Sequence, residues 1–157
     1  MDTLRTCLWF DTQAEEAAAF YCTVFDGKTT GTTHYTEGSM REAGMVMTVD
    51  FEVAGMRFTA LNGGDQFTFD ESISFQVPCR GQEELDHYWF ALAEGGSHGQ
   101  CGWLTDKFGV SWQVYDPEAM ARMLGGDDPA GAQRAMQAML QMTRIDVAEL
   151  ERAYAGE

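Results

Sequence analysis

The sequence predicts an α+β fold of two βαβββ modules, whose curved mixed sheets face a cleft, followed by C-terminal helices. The first reason is an internal repeat: a Glu-Glu pair, an aromatic pair and a Gly in residues 15–27 recur in residues 83–95, an offset of 68. The second is a repeated hairpin, because the alternating segments around Gly55 and Gly109 align at an offset of 54. Each module then reads as a strand, a helix and three strands.

The first module begins with a β-rich segment, Leu4–Phe10, which predicts a strand. Thr12 followed by Glu15 has the spacing of a capping box and predicts the start of a helix. The remaining segments are predicted as strands at 29–35, 45–53 and 56–62, with a loop at 37–44. The difference between the two offsets leaves 14 extra residues in this module, which fit 28–44 or the connector 63–71.

The second module repeats this order with shorter segments. Ser72–Val77 is predicted as a strand and Gln82–Ala93 as a helix. Gly95–Gly99 is expected to be a loop because of its glycines. Cys101–Thr105 and Val110–Tyr115 then form the second hairpin.

The C-terminal segment differs from both modules. Asp128 before Pro129 predicts one helix start, and Asp146 with Glu149 predicts a second, short helix through Ala153. The apolar stripe of the first of these helices indicates packing or a dimer contact: Ala132, Met136, Met139, Leu140 and Met142. The expected organisation is a paired domain, 1–125, with modules at about 1–66 and 67–125, and a helical tail, 126–157.

Composition limits the partners. The chain has 157 residues, 45% of them apolar, and a formal net charge of −15. Such a charge disfavours nucleic acid and anionic membranes, because their phosphates would be repelled. No apolar run is long enough to span a bilayer, and the start, 1–5, lacks the features of a signal peptide, so we expect a cytoplasmic protein.

The cysteines and histidines supply few candidates for catalysis or ligand binding. The four cysteines form no CxxC pair and are expected to be small buried residues, although Cys101, in a loop-like Gly-Gln-Cys-Gly context, is a weak candidate for a reactive thiol. His98 lies in a Gly-rich loop and is a weak candidate for ligand contact or acid–base chemistry, against a plain loop role.

The duplicated pattern resembles the glyoxalase/bleomycin-resistance/dioxygenase superfamily, also called vicinal oxygen chelate proteins. Within it the chain resembles PhnB-like proteins, often called the 3-demethylubiquinone-9 3-methyltransferase domain. The residues that carry the resemblance are 8–11, 14–17, 20–21, 61–64, Phe67, 74–75, 101–114 and 133–140. The resemblance implies paired βαβββ modules that assemble as a homodimer. Methyl transfer is not expected, because no strand–Gly-loop–helix segment of the cofactor-binding kind occurs.

The resemblance also implies where a metal would be held. In metal-dependent members, ligands lie on the first and last strand of each module, and counting from the repeats gives Thr6, Thr59, Ser74 and Gln113. These side chains are neutral and are poor ligands for zinc, nickel or iron. We therefore expect no metal and no cofactor, and a pocket that offers neutral hydrogen bonds.

Strand alternation extends this set to a predicted pocket. Its members are Thr6, Leu8, Thr59, Leu61, Ser74, Gln76, Trp103, Gln113 and Tyr115. Trp103 has core packing as its alternative. Arg57 is a weak candidate for an anionic ligand, with an ion pair to Glu52 across the hairpin as an equal alternative.

Three functions remain open on the sequence alone. The first is metal-free binding of a small molecule by a homodimer. The second is an enzyme, either metal-assisted lyase, isomerase or dioxygenase chemistry with displaced ligands, or metal-free acid–base chemistry. The third is a module that acts through protein contacts of its Met-rich tail. Catalytic residues and the identity of the ligand stay unassigned.

Overall fold

The computed structural model describes residues 3–157. Met1 and Asp2, which belong to the segment 1–5 considered above for a signal peptide, lie outside the described residues. The chain divides into two compact units, with the first ending at Thr68 and the second running Phe69–Glu157. This boundary lies two residues from the one expected between the modules.

The first unit contains one helix and a four-stranded sheet. Its elements are β1 (Thr6–Phe10), α1 (Ala14–Val24), β2 (Lys28–His34), β3 (Val46–Val53) and β4 (Met56–Asn62). The strand order is β1-β4-β3-β2, with β1 parallel to β4 and the other pairs antiparallel. Ala54 and Gly55 both have positive φ, as the tight turn between β3 and β4 requires.

The second unit repeats this topology. Its elements are β5 (Phe75–Pro78), α2 (Gly81–Ala93), β6 (Ser97–His98), β7 (Trp103–Thr105) and β8 (Ser111–Tyr115), in the order β5-β8-β7-β6. The predicted α+β class and the duplicated βαβββ pattern are therefore confirmed. The extra residues lie between α1 and the turn Ala54-Gly55: β2 and β3 have seven and eight residues where β6 and β7 have two and three, and the connection between the two strands is also longer.

Strand β6 corrects the expectation of a loop at 95–99. Ser97 and His98 pair with Thr105 and Leu104 of β7. Gly96 lies directly against the Thr105 carbonyl, where a Cβ would not fit. Glycine has low strand propensity, so this pairing depends on the neighbouring strand and was not visible in the local sequence.

One face of each sheet is covered by its helix. In the first unit, Tyr21 of α1 stacks on Phe51, whose ring stacks on Phe58 at 5.0 Å between centroids. In the second unit, Leu85 and Trp89 of α2 are fully buried. The opposite face of each sheet, which we call its open face, carries the polar side chains.

The start of α1 differs from the prediction. Thr12 does not cap it: the helix begins at Ala14, and its N-cap residue Gln13 makes no side-chain cap bond. Instead Asn62, fully buried at the end of β4, accepts a hydrogen bond from the Ala14 N–H at 2.8 Å and donates one to the Val46 carbonyl at 3.0 Å. A residue 48 positions away therefore supplies the cap.

The second unit repeats this device with a carboxylate. Asp116 follows β8 and is separated from Asn62 by the hairpin offset of 54. Its Oδ2 accepts from the Gly81 N–H at the start of α2, and its Oδ1 accepts from the Ala119 N–H, both at 2.9 Å. One side chain thus holds the N-termini of two helices.

The tail belongs to the second compact unit. It contains α4 (Pro129–Met139) and α5 (Val147–Ala155), and the predicted caps Asp128 and Asp146 are confirmed. A further helix, α3 (Pro117–Leu124), precedes it and was missed, although its Asp116-Pro117 start has the same signal as Asp128-Pro129. Among residues 3–157, no helix combines the length and apolar character needed to cross a bilayer.

The tail is anchored to α2 and to the loop before β7. Ile145 is buried, and its carbonyl accepts from the Gln82 side chain at 3.0 Å. The backbone N–H groups of Cys101 and Gly102 donate to the carbonyls of Met142 and Thr143, at 2.8 and 2.7 Å. Removing the tail would take away these hydrogen-bond partners.

Candidate functional site

The open face of the first sheet carries a short polar row. Cys7 of β1 pairs with Thr59 of β4, and Thr59 pairs with Asp50 of β3, so the three side chains share one face. The Thr59 hydroxyl donates to Asp50 Oδ1 at 2.6 Å, and Arg5 forms an ion pair with Asp50 Oδ2 at 2.9 Å. Desolvation of the Cys7 sulfur, and then the charge of Asp50, raise the pKa of this thiol.

The strand register corrects the placement of two predicted pocket residues. Thr6 pairs with Phe58, and Leu8 pairs with Ala60, so both lie on the face covered by α1. Leu8 is only 5% exposed and belongs to the core. The connection between the first strand and the helix differs in length between the two units. Counting back from the helix therefore places β1 one residue out of register, and this puts Thr6 and Leu8 on the open face instead of the covered face.

Cys7 and Asp50 were therefore missed as residues of this face. Asp50 could have been found from the sequence, because Asp50 and Thr59 stand at equal distances on either side of the turn Ala54-Gly55. Cys7 carried no comparable signal, since its position depends on the register of β1 against β4.

The open face of the second sheet brings together five of the predicted pocket residues. Gln113 of β8 pairs with both Gln76 and Trp103. The Gln113 amide donates to Ser74 Oγ at 2.7 Å, while the Gln76 amide approaches Gln113 Oε1 at 3.5 Å. The Tyr115 hydroxyl donates to Gln76 Oε1 at 3.4 Å. The result is a connected row of neutral donors and acceptors, in which the two contacts of Gln76 are long.

Ser111 lies on the same face, two residues before Gln113. Its partner across the sheet is Thr105, and its side chain is 2% exposed. Within the described residues, its hydroxyl is a buried polar group without a hydrogen-bond partner. An unsatisfied buried hydroxyl costs about 1–3 kcal/mol, so this position favours an additional polar group beside it.

The weaker candidates occupy separate places. Arg57 is exposed, and its Nε lies 4.0 Å from Glu52 Oε2, as the ion-pair alternative expects. The exposed His98 ring contacts Trp89 at 5.2 Å between centroids. The half-buried Cys101 sulfur lies 3.5 Å from the Met139 carbonyl, against the tail.

Leu61 lies beside an aromatic pair at the end of the first sheet. It pairs with Trp9, whose indole N–H donates to the Gly64 carbonyl at 2.9 Å. Phe67 packs edge-on against Trp9 at 5.1 Å between centroids and is 64% exposed. Gly63 lies directly under the indole, where a Cβ would collide with the ring.

The donor set does not fit the divalent metal that the superfamily resemblance implies. Across residues 3–157, no group of three or more His, Cys, Asp or Glu side chains is arranged to hold a metal ion. Paired positions of the first and last strands hold Cys7 with Thr59 and Gln76 with Gln113. This set supplies one thiol, and its hydroxyl and amide groups bind transition metals weakly.

The duplicated βαβββ units with open polar sheet faces define a vicinal oxygen chelate protein. A model of the 3-demethylubiquinone-9 3-methyltransferase family matches residues 2–115, so the chain belongs to this PhnB-like family. A search of curated proteins finds no match.

Solved structures include two informative relatives. The PhnB protein of Bacillus cereus, which bears the same methyltransferase label, is 32% identical, with a TM-score of 0.64 over 71% of this chain and 97% of that one. Protein PA1353 of Pseudomonas aeruginosa is 22% identical, with a TM-score of 0.57 over 70% of this chain and 95% of that one, and shows the fold alone.

The methyltransferase name is a label of the family. In this chain, β1 leads into α1 through residues 11–13, which contain no glycine, so the connection lacks the Gly-rich turn of a doubly wound cofactor site. The fold and its relatives define no specific reaction.

Proposed function

We propose that the open face of the second sheet binds a small, uncharged polar molecule without a metal ion. The observation that supports this proposal most directly is the hydrogen-bonded row of Ser74, Gln113, Gln76 and Tyr115, with the buried, unpartnered Ser111 hydroxyl beside it. Amides and hydroxyls donate and accept equally well, so they suit a ligand that carries both kinds of group.

The hydrogen bonds of Gln76 within this row are weak enough for a ligand to replace them. The contacts of Gln76 at 3.5 and 3.4 Å are near the limit for hydrogen bonds and contribute little. A ligand group that bonds to Ser111 would also remove the penalty of its unpaired hydroxyl. Trp103, half-buried beside Gln113, offers an apolar surface for the ligand's body.

The same side chains favour binding over catalysis. Ser74, Gln76, Gln113 and the neighbouring Trp103 have no ionisable side chain, so Tyr115 is the one residue of the row that could act as a general acid or base. The alternative is metal-assisted chemistry of the lyase, isomerase or dioxygenase type with displaced ligands. Elemental analysis of the purified protein separates the two: stoichiometric zinc, nickel, manganese or iron would overturn the metal-free proposal.

We expect Gln113→Ala to weaken binding of uncharged polar fragments about tenfold, because it removes the central residue of the row and about one hydrogen bond's free energy. Ligand-observed NMR with a panel of amides and polyols measures this. Gln133→Ala, at an exposed position of α4, is the matched control and should bind as the original chain does. Equal binding by Gln113→Ala would contradict the proposal.

The proposal includes a cytoplasmic homodimer that forms through α4. Met136 and Leu140 lie one turn apart and are 40% and 48% exposed, as an apolar contact between copies would use. All four cysteines are free thiols, which suits a reducing compartment. The net charge of −15 argues against nucleic acid and anionic membranes as partners.

We expect Met136→Glu combined with Leu140→Glu to shift a dimer to monomer, since two carboxylates would be buried in the contact. Light scattering coupled to size exclusion measures the mass. Gln13→Glu with Gln100→Glu, at exposed positions outside α4, controls for added charge. A dimer that survives the first pair of changes would remove α4 from the interface.

A further inference from the structure

A cavity of about 240 Å³ in the first unit collects two basic side chains. Its lining residues are Arg5, Thr30, Phe51, Glu52, Arg57 and Phe58. The chain has only ten Lys and Arg residues against 25 Asp and Glu, so two arginines at one small cavity stand out from the acidic background. The volume suits a small polar group or a small molecule.

Arg57 is available for a new partner. Its Nε approaches Glu52 Oε2 at 4.0 Å, with side-chain exposures of 52% and 36%. An exposed ion pair of this length contributes little to stability, so a ligand can displace Glu52 at small cost. The planar guanidinium offers paired N–H groups that match two oxygens of one anion.

Arg5 is more firmly held but retains free donors. Its Nη1 contacts Asp50 Oδ2 at 2.9 Å, and the other oxygen of Asp50 accepts from Thr59 at 2.6 Å. A guanidinium carries five N–H donors, so this ion pair fixes Arg5 in place without using all of them. Thr30, exposed on β2, adds a hydroxyl to the same cavity.

We propose that this cavity binds a small oxyanion, with Arg57 as the principal contact and Arg5 and Thr30 as supporting donors. Carboxylates and phosphate groups share the required chemistry, since both present two oxygens to a guanidinium. The site lies in the first unit and is independent of the neutral row proposed for the second. Long-range repulsion by the net charge of −15 weakens the binding, so we expect millimolar affinity.

The test is titration of the full chain with phosphate, and separately with acetate, at constant ionic strength maintained with chloride. Amide NMR shifts give both affinity and location. We expect saturable shifts at Thr30, Phe58 and Arg57 in at least one titration. The anion that binds more tightly shows whether the site prefers a phosphate group or a carboxylate.

Two variants locate the contact. Arg57→Gln should weaken the anion at least about fivefold, because it removes the charge and the paired N–H groups. Arg122→Gln is the matched control: Arg122 pairs with Glu151 at 3.0 Å and is similarly exposed, at 57%. It should leave the affinity within about twofold.

Three outcomes would overturn the proposal: unchanged affinity in Arg57→Gln, an equal loss in Arg122→Gln, or wild-type shifts confined to other residues. The wild-type mapping needs no variant, so it decides the location even if Arg57→Gln is poorly folded. Binding of uncharged fragments in the second unit should be unaffected by Arg57→Gln, which keeps the two proposals separately testable.

Discussion

Asn62→Ala should lower the free energy of unfolding by about 3 kcal/mol, the sum of the lost helix cap at the Ala14 N–H and the lost hydrogen bond to the Val46 carbonyl. The Asn62 side chain accepts from the Ala14 N–H and donates to the Val46 carbonyl, and it is fully buried. Its own carbonyl also accepts from the Tyr35 hydroxyl at 2.7 Å, so the backbone nearby is closely held. Urea unfolding followed by far-UV circular dichroism measures the loss.

Thr12→Ala is the matched control for this prediction. Thr12 is the residue that the local sequence favours as the cap, but it is exposed and lies outside α1. We expect a change below about 0.5 kcal/mol, as for an ordinary surface substitution. A larger effect from Thr12→Ala than from Asn62→Ala would show that the local capping box, and not the distant side chain, starts the helix.

Asp116→Asn should destabilise the second unit at neutral pH by about 2 kcal/mol, because its NH₂ group faces a backbone donor where the carboxylate accepted one. Asp116 accepts from both Gly81 and Ala119. Burial acts to raise the pKa of this carboxyl, but the backbone hydrogen bonds and Arg122 together lower it below its ordinary value.

The direction of the pKa shift fixes the pH dependence. A carboxyl whose pKa is lower in the folded state binds protons more weakly there than in the unfolded chain. Its stabilisation is therefore present at neutral pH and is lost as the pH falls below about 4 and through the lowered folded-state pKa. The stability difference between the original chain and Asp116→Asn should narrow over this range.

Thermal unfolding at pH values from 7 to 3 tests this, with Asp128→Asn as control. Asp128 caps α4 through Ala130 but is exposed and serves one helix only. We expect a smaller loss from Asp128→Asn at pH 7. A difference between Asp116→Asn and the original chain that stays constant down to pH 3 would exclude Asp116 as the titrating group.

The sequence predictions were correct where the interacting residues are close in the chain and wrong where they are far apart. Caps made within one turn, such as Asp128 and Asp146, were predicted correctly, because both partners lie within three residues. The cap of α1 was predicted wrongly, because its acceptor lies 48 residues away on β4. The two-residue strand β6 was missed for the same reason, since only its pairing with β7 makes it a strand.

The candidate site shows the same division. On β8, the alternation from Gln113 to Tyr115 was sufficient to predict which side chains share the open face, because a hairpin and its turn fix the register locally. On β1, the side-chain face was inferred through a connection of variable length, and the register with β4 exchanges Thr6 for Cys7. The convergence of Arg5 and Arg57 on one cavity could not be predicted, because it joins two strands far apart in the chain.

The sequence by itself determined the duplication, the α+β class, both hairpins and the neutral character of the second sheet's polar row. Each of these depends on periodicity or on residues that are close in the chain. Only the tertiary structure decided which face of β1 is open, which residues hold the helix N-termini, and that Ser111 is buried without a partner. These properties depend on the register between distant strands, and a shift of one residue in that register places every side chain on the opposite face.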